Sequence, residues 1–133
     1  MPFPITETEL AKTEEKIGIR FPESFRIAMI AENGGSVITA EDQWDIFPFS
    51  DTSDRKRLAR TLNDIIRETE QARKWQGFPS DGWAISDNGF GDHIFFKRSA
   101  EDPRRFEDVV YTYWHETGKI AVLAEDFSEL SKE

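Results

Sequence analysis

The sequence predicts an α+β fold: a single domain over residues 1–133, with a central, mainly antiparallel sheet of about six strands flanked by about four helices. Three observations carry this. Segments near both ends and in the middle carry apolar residues at helical spacing. Between them lie short runs rich in Val, Ile, Phe, Tyr and Trp, the residues that fill a pleated surface. Those runs follow one another through short turns bearing Gly, Asn and Asp, and such turns join neighbouring antiparallel strands. One domain is the default for 133 residues, a length sufficient for a real core.

The first helix opens at Ile5-Thr6-Glu7-Thr8-Glu9-Leu10. Thr6 is a good N-cap, and Glu9 three residues on completes a capping box. Ile5 and Leu10 take the hydrophobic staple positions, and Glu7 and Glu9 suit the positive end of the helix dipole. Leu10, Glu14 and Ile17 share a narrow face, and Gly18 is the stop. A second helix of about ten residues begins at Pro22, where a missing N–H costs nothing. Phe25, Ala28, Met29 and Glu32 are at helical spacing there, with Ile27 and Ile30 flanking them. Asn33-Gly34-Gly35 ends it, because both residue types accept left-handed backbone.

Ser36-Val37-Ile38-Thr39 reads as a strand and Trp44-Asp45-Ile46-Phe47-Pro48-Phe49 as another, with Pro48 ending it or placing it at an edge. After a loop capped by Asp54 or Ser53, residues 55–73 read as the longest helix. Leu58, Leu62, Ile65, Ile66 and Thr69 mark its buried face, and Asp64 faces water within reach of Arg60. Residues 74–82 form a linking loop punctuated by Gly77, Pro79 and Gly82. Next comes a hairpin, residues 83–96. Trp83 and Ile85 alternate with small or polar neighbours as in a half-buried strand. Ile94-Phe95-Phe96 reads as a strand covered on both faces or nearly so. Asn88-Gly89 between them is the strongest short hairpin signal. A polar stretch with an Asp102-Pro103 turn leads to a strand over residues 108–115, a turn at Glu116-Thr117-Gly118-Lys119, and a partner strand over residues 120–124. Asp126 caps a short closing helix.

Composition excludes several functional classes. The absence of cysteine rules out a disulfide framework, a thiol nucleophile and thiolate metal sites. No apolar run approaches the roughly 20 residues that span a bilayer. Met1-Pro2-Phe3-Pro4-Ile5 lacks the features of a secretion signal, so a soluble cytoplasmic protein is expected. Net charge is −9, which disfavours nucleic acid and anionic membranes as partners and suits a basic one, although acidity also serves solubility. The charge is uneven. Residues 55–74 carry seven basic and three acidic side chains, a net +4, which leaves −13 elsewhere.

Candidate chemistry is sparse. His93, His115 and Glu116 do not match a recognised metal-ligand spacing, and the Asp87–Asp92 loop lacks the spacing of a calcium hand. Asp87 and Asp92 are explained by the turn, whose backbone their side chains can bond. Gly34-Gly35 follows a helix, whereas phosphate cradles precede one. No nucleophile elbow, phosphate loop or dinucleotide fingerprint occurs. The expectation is therefore no catalytic residue, no metal and no cofactor. A compact set, Glu41, Asp42, Trp44 and Asp45, places carboxylates beside an aromatic. Acids steer a basic partner and aromatics anchor an interface, unless Trp44 points into the core. With Asp87 from the hairpin, these make up the candidate partner-binding residues.

The order of motifs resembles one family. Phe21-Pro22-Glu23-Ser24-Phe25-Arg26 is followed by Asn33-Gly34-Gly35 and then by Ala84-Ile85-Ser86-Asp87-Asn88-Gly89-Phe90-Gly91-Asp92. Val110-Tyr111-Thr112-Tyr113-Trp114-His115-Glu116 and a closing Leu123-Ala124-Glu125-Asp126-Phe127 complete the series. The chain resembles the SUKH superfamily, the Smi/Knr-type domain, over nearly its whole length. The resemblance implies an α+β domain without catalysis. Bacterial members are commonly immunity proteins that bind and neutralise a toxin, often a nuclease, and other members are regulatory or scaffold proteins. It nominates no binding residue, because the binding face differs between members.

Overall fold

The computed structural model of the chain describes residues 2–40, 42–74 and 77–132. Its α-helices are α1 (Glu7–Ile17), α2 (Glu23–Ala31), α3 (Arg55–Arg60) and α4 (Ile65–Ala72). Its strands are β1 (Ser36–Ile38), β2 (Gln43–Ile46), β3 (Gly82–Asp87), β4 (His93–Lys97), β5 (Val110–Trp114), β6 (Lys119–Ala124) and β7 (Ser131–Lys132). The α+β class predicted from sequence is the one observed. The strands form one seven-stranded sheet in the order β6-β5-β4-β3-β2-β1-β7, and every pair is antiparallel. From β1 to β6 each strand lies beside the next in sequence, although β2 and β3 are joined through α3 and α4 rather than by a short turn.

The seventh strand is one more than expected. β7 is two residues long and polar, so no propensity marks it. It is held by pairing with β1, Val37 opposite Lys132 and Ile38 opposite Ser131. Lys132 Nζ also donates to the Ala28 and Glu32 carbonyls at the end of α2, where a cation suits the helix dipole. The closing helix is a single 3₁₀ turn, Phe127–Glu129, capped by Asp126.

The expected long helix over residues 55–73 is two short ones. Asp64, read from sequence as a solvent-facing partner of Arg60, is instead the N-cap of α4 and accepts from the Arg67 N–H. The Ile65 N–H donates to the Pro48 carbonyl. Leu58 and Leu62, read as buried, are exposed, and α3 buries no residue. Of the two, α4 is the one tied to the sheet: Thr69 Oγ1 bonds both the N–H and the carbonyl of Ala84, at 3.0 and 3.3 Å. Helical periodicity ran through a break that a capping aspartate had already specified. Three helices of eight residues or more thus flank the sheet, against about four expected.

Both faces of the middle strands are covered. Phe96 meets Phe25 at 5.2 Å and Phe21 at 6.1 Å, on the face under α2. Phe95, pointing the other way, meets Phe78 at 5.6 Å and stacks on Tyr111 at 5.5 Å. β3 is not the half-buried strand predicted, since Ala84, Ile85 and Ser86 are all buried. A bulge between Ala84 and Ser86 breaks the alternation, and the Ile85 carbonyl accepts from the Phe47 N–H. In the Asn-Gly-Gly turn only the glycines take positive φ. The Asn33 side chain bonds the Phe49 N–H and carbonyl, at 2.8 and 2.9 Å, pinning the chain after β2.

The polar residue in the α1 stripe has a specific partner. Glu14 accepts from Arg26 Nε at 3.1 Å and from the Phe21 N–H at 2.8 Å, which ties α1 to α2. The Arg26 side chain is 3% exposed. Thr6 caps α1 as expected, but Glu9 does not close the capping box. It accepts instead from the N–H and Oγ1 of Thr52, at 2.7 and 2.8 Å. Removing Glu14 takes away the buried partner of Arg26 and leaves it Glu7 at 3.2 Å and Glu23 at 3.8 Å, both largely exposed carboxylates that compensate a buried guanidinium less well. Glu14→Ala is therefore expected to cost about 3 kcal/mol in urea denaturation, and Glu14→Leu with Arg26→Met less, about 1 kcal/mol, the cost of the Phe21 N–H left without its acceptor.

Candidate functional site

One end of the sheet face under α2 is left open. There Trp44, Thr112, Trp114, Ala121 and Leu123 floor a cleft of about 690 Å³, and no helix residue lines it. Three loops make its walls: Thr39, Ala40 and Asp42 between β1 and β2, the β3–β4 hairpin loop, and the turn between β5 and β6. The floor is built by register. Trp44 on β2 and Trp114 on β5 meet edge to face at 5.7 Å. Trp44 is 1% exposed, and its Nε1 donates to Thr39 Oγ1 at 3.1 Å.

The hairpin loop is organised by side chains rather than by a two-residue turn. Asn88 has no positive φ; Gly89 and Gly91 supply it, at 83° and 95°. Asn88 Oδ1 accepts from the Phe90 N–H at 2.9 Å, and Asn88 Nδ2 donates to Asp92 Oδ2 at 2.9 Å and to Asp42 Oδ2 at 3.2 Å. Asp92 Oδ1 accepts from the His115 N–H at 2.9 Å and lies 2.8 Å from His115 Nδ1. An ionised carboxylate only accepts, so His115 Nδ1 carries the proton in this pair. Burial by itself would raise the Asp92 pKa, but the donors from Asn88 and His115 outweigh it and hold the carboxyl below its usual range. Asp42, Asp92 and Glu116 thus line the cleft with carboxylates, against Lys119 as its one lysine.

The sequence-derived candidates divide between the two faces. Asp42 lies on the rim and Trp44 in the floor; a buried Trp44 shapes the cleft and does not project from it. Asp45 and Asp87 stand opposite one another on β2 and β3, and alternation from Trp44 puts them on the reverse face. Burial, and then repulsion from Asp45, raises the Asp87 pKa; burial, and also repulsion from Asp87 and Asp64, raises that of Glu68. Glu41 lies outside the described residues. His93 is buried against Phe47 and Phe78, and burial pushes its pKa down to about 4. Among the described residues, no group of three or more His, Asp or Glu side chains is arranged to hold a metal ion.

Sequence reasoning missed the joint role of Asp92, His115 and Asn88. Asp92 and His115 are 23 residues apart in the chain, and the β4–β5 register, His93 opposite Tyr113, brings them together. It also missed Trp114, Thr112, Ala121 and Leu123 as a floor. The alternation of β5 and β6 was available as a signal, but which face the helices leave open was not.

The model of the SMI1 / KNR4 family (SUKH-1) matches residues 4–133. The chain belongs to that family. It matches none of the curated proteins and none of the solved structures with which it was compared. Among the described residues, no helix is long and apolar enough to cross a membrane.

Gly91 joins the backbone and side-chain constraints of the loop. Its φ is positive, and a Cβ there would stand 3.1 Å from His115 Nδ1. Gly91→Val is expected to cost at least about 2 kcal/mol in thermal or urea denaturation, more than left-handed backbone alone costs a non-glycine residue. Unchanged stability with lost partner binding would make the loop a contact surface first and a structural element second.

Proposed function

We propose that this protein is a non-catalytic binding domain that acts as an immunity protein, holding and neutralising a cognate toxin, plausibly a nuclease, through the acid-lined cleft. The observation that carries this reading is the cleft itself: an apolar Trp44–Trp114 floor under a rim bearing Asp42, Asp92 and Glu116. A desolvated aromatic floor gives an inserted side chain somewhere to bury, and the rim selects a cationic one. The family supports a protein partner, and the net charge of −9 supports a basic one. A basic nucleic-acid groove on a nuclease fits both.

Asp92 and His115 in the cleft are already engaged structurally. The Asp92 carboxylate is taken up by the His115 N–H, the His115 ring and Asn88, which closes two loops together and favours a scaffold over an acid–base pair. The reverse-face carboxylates Asp45 and Asp87 add to the long-range field that attracts a basic partner.

The test is co-expression with the C-terminal domain of a toxin-like product from the adjacent gene, scored as survival. The protein is expected to rescue growth, and Asp42→Lys with Glu116→Lys is expected to abolish the rescue. The association rate is expected to fall about tenfold or more between about 0.01 and 0.15 M salt, as the Debye length shrinks from about 30 to 8 Å. Failure to rescue from any neighbouring toxin, together with capture of a defined host protein, would favour a regulatory or scaffold role. A rate indifferent to ionic strength would remove the electrostatic part of the account.

A further inference from the structure

The two edges of the sheet differ. One is β7, only two residues long. The other is β6, six residues long, and it pairs on one side only, with β5. A strand in that position presents alternate backbone N–H and C=O groups without a partner strand, which is a template for pairing. Natural edges are blunted with prolines, inward charges or brevity. Along Lys119-Ile120-Ala121-Val122-Leu123-Ala124 the only charge is Lys119 at its start, and there is no proline. Ile120 and Val122 are 44% and 58% exposed, and they share the face opposite Ala121.

We propose that β6 is a self-association edge, where a second copy of this chain adds its own β6 in antiparallel register and continues the sheet across a two-fold axis. The strand's own sequence argues for a second copy over an unrelated strand. Centring the axis on Ala121 sets Ile120 of one copy opposite Val122 of the other, and the symmetry repeats the pair. Both exposed apolar side chains on that face are then covered by each other, as an isologous contact demands. The ends complement in charge. Lys119 opens the strand and Glu125 follows it; with the axis on Ala121, Lys119 stands opposite Leu123 of the mate and has the mate's Glu125 as its diagonal neighbour, within reach of a lysine side chain. A parallel arrangement sets like against like. The register shift between β5 and β6 near Val110 and Tyr111 makes Leu123 the extra residue of a bulge and limits the paired stretch to about five residues. Ala121, Val122 and Leu123 also line the cleft, so a second copy would continue the sheet from the edge of its floor. The inference stands independently of the toxin-binding reading.

The test uses the full chain. Sedimentation equilibrium over a range of concentrations in about 0.15 M salt, where the repulsion between two acidic copies is screened, is expected to show reversible monomer–dimer exchange. Val122→Lys is expected to leave a monomer with an unchanged circular dichroism spectrum. Lys119→Glu is expected to weaken the dimer, and Lys119→Glu combined with Glu125→Lys to restore it. Because the chain has no cysteine, Ala121→Cys introduces a single thiol. In the proposed register the two copies of residue 121 face each other with Cα atoms about 4.5 to 5.5 Å apart, within disulfide range, so mild oxidation is expected to cross-link the dimer. A chain that stays monomeric at every concentration would overturn the proposal. So would a dimer that survives Val122→Lys, or one that Ala121→Cys fails to cross-link.

Discussion

A carboxylate taken out of water must find donors, and at Asp92 that requirement shapes the open end of the sheet. Its oxygens are met by the Asn88 side-chain amide, the His115 N–H and the His115 ring. To satisfy it, the β3–β4 loop has to fold back over the end of β5. That path needs positive φ at Gly89 and Gly91, with no side chain at Gly91 to meet His115. The same Asn88 amide reaches Asp42, so the β1–β2 loop is drawn into the cluster. Three loops that are distant in sequence thus become one rim, and the tryptophan floor lies beneath it.

The distribution of charge follows from that scaffold. On the cleft side, Asp42 and Asp92 are fixed by hydrogen bonds around an apolar floor. On the reverse side, Asp45, Asp87 and Glu68 crowd one another, and the pKa values of Asp87 and Glu68 rise through burial and mutual repulsion. Crowded acids lower the stability of the free protein and are relieved by a cation. The cleft joins Asp42 and Asp92 to the Trp44 and Trp114 rings, which on the proposed reading makes it the anchor for a partner, with the reverse face contributing to attraction at a distance.

The sequence made the fold legible wherever local chemistry and tertiary packing agreed. Thr6 and Gly18 bracketed α1 correctly, and the run of short strands implied a meander that the structure shows. Errors arose where a local signal was overridden or absent. Leu58 and Leu62 prolonged a helical pattern across a break set by Asp64, and β7 is two polar residues held entirely by what they touch. Glu14 interrupting an apolar stripe was a visible oddity whose meaning, a buried pair with Arg26, needed the second helix in place. At the site, Asp42 and Trp44 were named from sequence and both line the cleft, while Asp45 and Asp87 lie on the other face. Strand alternation separates Trp44 from Asp45 by one residue and a whole sheet, but which face stays open depends on where the helices stop.

The most direct test of the cleft as the partner-facing surface is amide hydrogen exchange on the protein alone and in complex with its partner. The account predicts that protection gained on binding concentrates in the β1–β2 loop around Asp42, the β3–β4 loop around Phe90, and the β5–β6 turn at Glu116 and Thr117. Protection confined to the reverse face, at β2 and β3 around Asp45 and Asp87 and along α4, with the cleft loops exchanging unchanged, would contradict it.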